Sequence, residues 1–195
     1  MPFVNENLFF FHITKTGGTS INEALSIKTT TKNLARYCNK KNADLQHLSP
    51  PQMEIMLNDK TLARIDKMKK FCFMRNPYDR FSSEYHWRVK RGYLLGDECI
   101  EVFLDNLLNK VAYPYVEHFN FQSDYLTFRG QPLDFIGRFE NINKDFYKVT
   151  ELFGIKKCVL KKRNTSKHKK PLTKSIKEGI FKLWEKDFEL LEYEK

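Results

Sequence analysis

The segment that most constrains this chain is Leu8–Ser20, LFFFHITKTGGTS. Leu8, Phe9, Phe10 and Phe11, followed by Ile13, form an apolar run of strand length, which reads as a buried strand. A turn made of Lys15, Thr16, Gly17, Gly18, Thr19 and Ser20 follows. A helix is expected to open at Thr19 or Ser20 and to continue through Ile21, Ala24 and Leu25. Adjacent glycines let a backbone approach a ligand closely and take positive φ. A helix start behind them offers unpaired N–H groups and the positive end of its dipole. With a lysine and three hydroxyls added, the turn reads as a cradle for a phosphate-like anion.

The order of residues differs from the G-x-x-x-x-G-K-[ST] phosphate loop, because Lys15 precedes both glycines. A bare Gly-Gly would suit a tight strand–helix turn with a surface lysine. The apolar strand, K-T-G-G-T-S and the helical continuation together favour the anion site.

A second motif is Phe73–Tyr85, FMRNPYDRFSSEY. Lys69–Arg75 reads as a core strand that ends on an arginine. Asn76 as cap, Pro77 in the first turn and Asp79 behind it predict a helix to about Arg91, closed by Gly92. Arg75 therefore falls at the carboxyl edge of a sheet, where open α/β sheets bind ligands. On these residues alone an ordinary capped helix, with Arg75 in a surface ion pair, serves equally well. A third segment is Phe135–Phe146, FIGRFENINKDF, within a strand expected over Leu133–Phe139.

These three segments together resemble the sulfotransferase family that contains the heparan sulfate 2-O- and 6-O-sulfotransferases. HITKTGGTS is similar to the loop that binds the 5′-phosphosulfate of PAPS (3′-phosphoadenosine 5′-phosphosulfate). Thr14 stands where family members usually carry proline. The FIGRFEN stretch matches the family's G-R-[FY]-E-N segment, for which a structural role is expected. The resemblance implies a P-loop-like three-layer α/β fold, with a mostly parallel central sheet flanked by helices. It implies that Lys15, Thr16, Gly17, Gly18, Thr19 and Ser20 hold the 5′ end of PAPS, and that Arg75 and Ser83 hold the 3′-phosphate. Requiring both phosphates is what separates PAPS from ATP. The basic loop Lys161–Lys170 is expected to close over the nucleotide through Arg163, Thr165, Ser166 and Lys167.

Sulfuryl transfer to a hydroxyl is an in-line displacement, by analogy with phosphoryl transfer, and the acceptor must lose a proton. A neutral histidine suits that task. Of His12, His47, His86, His118 and His168, His12 reads as structural, and His168 lies among cations that disfavour a proton acceptor. His47 falls between the two nucleotide motifs, the interval in which relatives carry their catalytic histidine, and is the expected base. His118 is the runner-up or an acceptor contact, and Gln122, which fits the family pattern, is grouped with it. Lys15 is placed to stabilise the charge that develops on the leaving oxygen. No metal is expected; no clustered carboxylates of the Mg²⁺-binding type stand out.

The formal net charge of +10 suits a polyanionic partner, and with the resemblance it favours a glycan acceptor, with a lipid-linked sugar or a small alcohol as the alternatives, over nucleic acid. A small ATP-dependent kinase and a basic nucleic-acid-binding module are the competing readings. The kinase lacks the G-K-[ST] order, and the module lacks a recognised binding motif. The four cysteines form no C-x-x-C pair and read as reduced thiols. With no signal-like start and no stretch of transmembrane length, the expectation is a cytoplasmic protein of one domain. Further elements are expected at Asp44–Leu48 (a short strand or an extended segment), Ser49 to about Leu57 (helix), Cys99–Val111 (helix), Gln122–Phe128 (helical), Ile142–Phe153 (helix), Val159–Leu160 (strand) and Thr173–Tyr193 (one long helix).

Overall fold

The run of phenylalanines becomes a strand because it is buried from both sides. β1 (Leu8–Phe11) is at most 2% exposed at every residue. Successive side chains alternate between faces. Phe10 stacks on Phe71 at 4.9 Å, whereas Phe11 meets the rings of Tyr125 and Phe128 at 6.2 and 5.7 Å. A continuous apolar run is what a parallel strand covered on both faces requires.

In this computed structural model, residues 3–27, 46–94, 98–156, 158–161 and 171–195 are described. The chain forms two compact units, Met1–Met74 with Asp124–Arg163, and Arg75–Ser123 with Asn164–Lys195. In the first, β1 leads to α1 (Gly18–Ala24). Then come α2 (Pro50–Met56), α3 (Asp59–Asp66) and β2 (Lys69–Met74). β3 (Thr127–Phe128), β4 (Gln131–Pro132), β5 (Phe135–Arg138) and α6 (Ile142–Leu152) complete it. β2 is central in a parallel sheet of order β1-β2-β5, with Leu8 opposite Lys69 and Phe71 opposite Phe135. The carboxyl ends of the three strands therefore share one edge. β3 and β4 make a small antiparallel pair. Ile21 and Ile27 on one side, and Phe146 and Val149 of α6, pack with Leu8, Phe10, Phe71 and Phe73 into one core.

The start of β2 is fixed by Asp134. Its carboxylate accepts the Lys70 amide and the Lys69 ammonium, both at 2.8 Å. Buried Lys70 turns its Nζ back onto the carbonyls of Met68 and Asp66, at 2.7 and 3.0 Å.

The second unit contains α4 (Pro77–Arg91), α5 (Ile100–Leu108), α7 (Lys174–Leu183) and α8 (Glu185–Leu190). α4 begins and ends where its sequence directs. The Asn76 side chain accepts the Tyr78 amide, Pro77 fills the first position, and Gly92 closes the helix in the left-handed region at φ 67°. Phe81, Phe103, Leu104, Tyr113, Ile176, Ile180, Trp184 and Phe188 form its core. α5 and α7 approach closely at Gly179, where a Cβ would stand 2.6 Å from Leu104.

The final helix is broken. Apolar spacing continues past residue 184, so the sequence reads as one helix, but Trp184 leaves the helical region at φ −132°, ψ 39°. Its buried indole N–H donates to the Phe119 carbonyl at 3.2 Å. The break lets α8 bury the carboxylate of Asp187. Elsewhere the differences are at element ends. Gln122–Tyr125 is a 3₁₀ turn, the third core strand covers only Phe135–Arg138, and Cys158–Lys161 and Gln46–Leu48 are not strand. Among the described residues no helix is long and apolar enough to cross a membrane, and Cys72, Cys99 and Cys158 are free thiols.

Candidate active site

The turn after β1 takes a conformation suited to anions. Lys15 has φ 64° and Gly17 φ 87°, so two left-handed residues flank Thr16. Alternation of this kind points successive N–H groups inward. Gly17 is also the N-cap of α1 and has no side chain with which to cap, so the helix start receives no side-chain cap. By position, the amides of Gly18 and Thr19 lack intrahelical acceptors. Lys15 is half-buried, Thr19 exposed and Ser20 half-buried. The Thr16 hydroxyl is turned away from this role. It is fully buried and donates to the Ile13 carbonyl at 2.9 Å, closing the turn on itself.

Both glycines are needed by the protein itself. A Cβ at Gly17 would lie 2.5 Å from Ile142, besides being strained by φ. One at Gly18 would lie 1.9 Å from Nε2 of His12. Adjacent glycines alone imply room for a ligand; in the fold, the nearest occupant of the space over Gly18 is the His12 ring.

His12 joins the turn to His47. Its Nδ1 accepts from the side-chain amides of Gln46 (2.7 Å) and Asn22 (3.3 Å), which sets the neutral tautomer with the proton on Nε2. Its carbonyl accepts Nδ1–H of His47 at 2.9 Å, and the two rings meet edge to face at 4.5 Å. A carbonyl can only accept, so the neutral His47 ring carries its lone pair on Nε2. The buried Tyr125 hydroxyl donates to the His47 carbonyl at 2.9 Å. Ser49, two residues on, caps α2, and its amide donates to Gln52 at 2.9 Å. His47 is thus held on both sides. Asn22 and Gln46, which hold the His12 ring, and Tyr125, which holds the His47 carbonyl, carry no recognisable signal in the sequence.

In the second unit Arg75 follows directly on Met74, the last residue of β2, and is buried; Ser83 is half-buried on α4. The backbone of Arg75 is gripped by Gln122. Oε1 accepts the Arg75 amide at 2.9 Å, and Nε2 donates to the Arg75 carbonyl at 2.8 Å. Gln122 is fully buried. His118 is buried as well. Its Nδ1 lies 3.0 Å from both oxygens of Glu84, its ring lies 4.8 Å from that of Trp87, and its carbonyl accepts from Arg80 at 3.0 Å. Glu84 also takes Nε–H of Arg88 at 2.7 Å. His118 and Gln122, expected among the acceptor contacts, therefore have their ring nitrogen and side-chain amide engaged inside this unit.

His86 turns its Nδ1 onto the Ser82 carbonyl of its own helix, at 2.6 Å. Arg163, Thr165, Ser166, Lys167 and His168 lie outside the described residues. Among the described residues no group of three or more His, Cys, Asp or Glu side chains is arranged to hold a metal ion.

No curated protein and no solved structure matches this chain. A protein-family model described as the sulfotransferase family matches residues 4–194, nearly the whole sequence and all three motifs. The family's enzymes use PAPS as sulfuryl donor. The chain is a member of the sulfotransferase family.

Proposed function

We propose that this sulfotransferase transfers the sulfuryl group of PAPS to a hydroxyl of a glycan, with His47 as general base and Lys15 at the leaving group. PAPS brings the activated sulfuryl group, and the residues of this chain bind, orient and move the proton. The observation that carries the reading is the hydrogen bond from His47 Nδ1 to the His12 carbonyl. It fixes the tautomer and the ring from the same strand end that opens into the Lys15 turn, and leaves Nε2 as the basic nitrogen.

The other roles follow the chemistry of each group. Amides of the Lys15–Thr19 turn are donors for the 5′-phosphate, since left-handed backbone at Lys15 and Gly17 is what gathers N–H groups about an anion. The Lys15 ammonium offsets the charge that appears on the bridging oxygen as the sulfur–oxygen bond breaks. Nε2 of His47 takes the hydroxyl proton as the new bond to sulfur forms. Arg75 and Ser83 are assigned to the 3′-phosphate, and the basic stretch containing Arg163, Thr165, Ser166 and Lys167 to the nucleotide. A formal charge of +10 favours an acidic sugar chain as acceptor.

A thermal-shift series tests the donor. PAP, the 3′,5′-bisphosphate product, is expected to raise the melting temperature without metal. Stabilisation by ATP–Mg²⁺ alone, or by an oligonucleotide alone, overturns the reading. Transfer from labelled PAPS to a panel of sulfated and unsulfated oligosaccharides tests the acceptor; transfer only to a non-sugar alcohol overturns that part. His47→Ala is expected to abolish turnover while PAP still binds. Lys15→Ala is expected to abolish turnover and weaken PAPS binding. A fully active His47→Ala enzyme removes His47 from the mechanism.

A further inference from the structure

We infer that Gln122, seated on Asp187, is a positioning residue that sets Arg75 for the 3′-phosphate, an inference that rests on the PAPS reading above. Ladder pairing of β2 ends at Met74, which stands opposite Arg138. The next peptide groups belong to a residue only 8% exposed, so their N–H and C=O need partners. The Gln122 side chain supplies both, by the two bonds described above. A carboxamide is the side chain that can accept from an N–H and donate to a C=O together.

Gln122 is itself fixed by α8. Its amide donates to Oδ2 of Asp187 at 2.9 Å, and the Ser123 amide donates to Oδ1 at 2.8 Å. Asp187 is fully buried, with the Arg80 guanidinium 3.8 Å away and that group 4.6 Å from the centre of the Trp184 ring. The path runs from Asp187 through the Gln122 backbone and side chain to the Arg75 backbone. Arg75 precedes Asn76, the cap of α4, and α4 carries Ser83. The clamp therefore sets the residue from which the Arg75 side chain and the helix bearing Ser83 both depart.

The test is titration calorimetry on the full chain with PAP and with 5′-AMP, which lacks the 3′-phosphate. The ratio of the 5′-AMP to the PAP dissociation constant reads the 3′-phosphate contribution. Gln122→Met keeps the length and removes both bonds to Arg75. It is expected to lower the ratio about tenfold, leaving 5′-AMP binding and the circular dichroism spectrum unchanged, about 1.4 kcal/mol by the affinity relation. Should that variant not fold, Gln122→Glu decides, because it keeps the acceptor for the Arg75 amide and sets an oxygen against the Arg75 carbonyl; the same fall is expected. Equal loss for both nucleotides marks Gln122 as merely structural and overturns the inference. Arg75→Ala separates the two levels. If it collapses the ratio while the Gln122 variants keep it, the inference fails and the PAPS assignment stands; if Arg75→Ala leaves the ratio intact, the assignment of Arg75 itself fails.

Discussion

The two units hold their functional candidates by opposite means. In the first, the fit of the Lys15 turn is steric, with Ile142 against Gly17 and the His12 ring over Gly18, and His47 is held by uncharged hydrogen bonds. In the second, Arg75 and α4 are held by buried charge. Arg80, Glu84, Arg88 and Asp187 are each at most 1% exposed, and their partners are mostly carbonyls, amides and aromatic faces. An apolar site tolerates small displacements by repacking. A buried ionic one fails abruptly when a partner is lost, because the remaining charge has no water to turn to. The difference predicts where each unit breaks.

The largest effect is expected at Arg88. Its Nε–H holds Glu84 at 2.7 Å, its NH2 group donates to the Pro114 carbonyl at 2.9 Å, and its guanidinium lies 4.6 Å from the centre of the Phe119 ring. Arg88→Met is expected to cost about 3–5 kcal/mol, since it leaves the Glu84 carboxylate buried beside His118 with its main cation gone. Adding Glu84→Gln to that variant is expected to restore part of the loss. Urea unfolding of the single and double variants measures both, and a single-variant loss under about 1 kcal/mol would show that buried charge does not frame this unit.

The same contrast explains what the sequence disclosed. Phe9–Phe11, Gly17, Gly18, Asn76-Pro77 and Gly92 act through local physics, namely burial, φ and capping, and so their strand, turn and helix could be read directly. The buried arginines could not. Arg80, Glu84 and Arg88 recur at every fourth position, the spacing of a solvated ion-pair stripe on a helix surface. Nothing local distinguishes a stripe facing water from one facing Trp184 and Phe119. Asp187 was hidden for a similar reason: the turn of α8 at Trp184 follows from a bond to Phe119, 65 residues away in sequence. The family pattern puts Gln122 among the acceptor contacts; in the fold its carboxamide bonds the Arg75 backbone. The interval between the motifs points to His47; the carbonyl that fixes its tautomer belongs to the fold and leaves no trace in the order of residues.

An intermediate effect is expected at Gly18, where the steric account of the first unit is exposed to test. An added methyl overlaps His12 Nε2 at 1.9 Å and Cδ2 at 2.0 Å, and that ring is tied by Gln46 and Asn22. Gly18→Ala is expected to cost about 1–3 kcal/mol, the usual range for overpacking. Because the His12 carbonyl holds His47, turnover is expected to fall by more than PAP affinity does. Gly92→Ala is the comparison in the other unit. Its Cβ meets nothing within 4 Å, so only the strain of φ 67° remains, about 1 kcal/mol. Equal losses at the two glycines would mean that backbone strain, and not the His12 contact, dominates at Gly18.

The smallest effect is expected at Asp134, a charged anchor at the start of β2 in the apolar sheet. Burial alone would raise its pKa. The Lys69 ammonium and the Lys70 amide outweigh that and hold the carboxyl below the usual aspartate value. A depressed pKa in the folded state adds stability that is complete above the unfolded value, near 4, and is lost as pH falls through the folded value. Asp134 is a quarter exposed and Lys69 mostly so, which limits the ion pair. The bond to the Lys70 amide carries most of the gain. Asp134→Asn is expected to cost about 1 kcal/mol at pH 7, with the gap to the wild type closing below about pH 4. Thermal unfolding from pH 7 to pH 3 measures it. A gap that stays constant down to pH 3 would show that the carboxylate's charge contributes nothing, and that shape alone holds the first residues of β2 against β5.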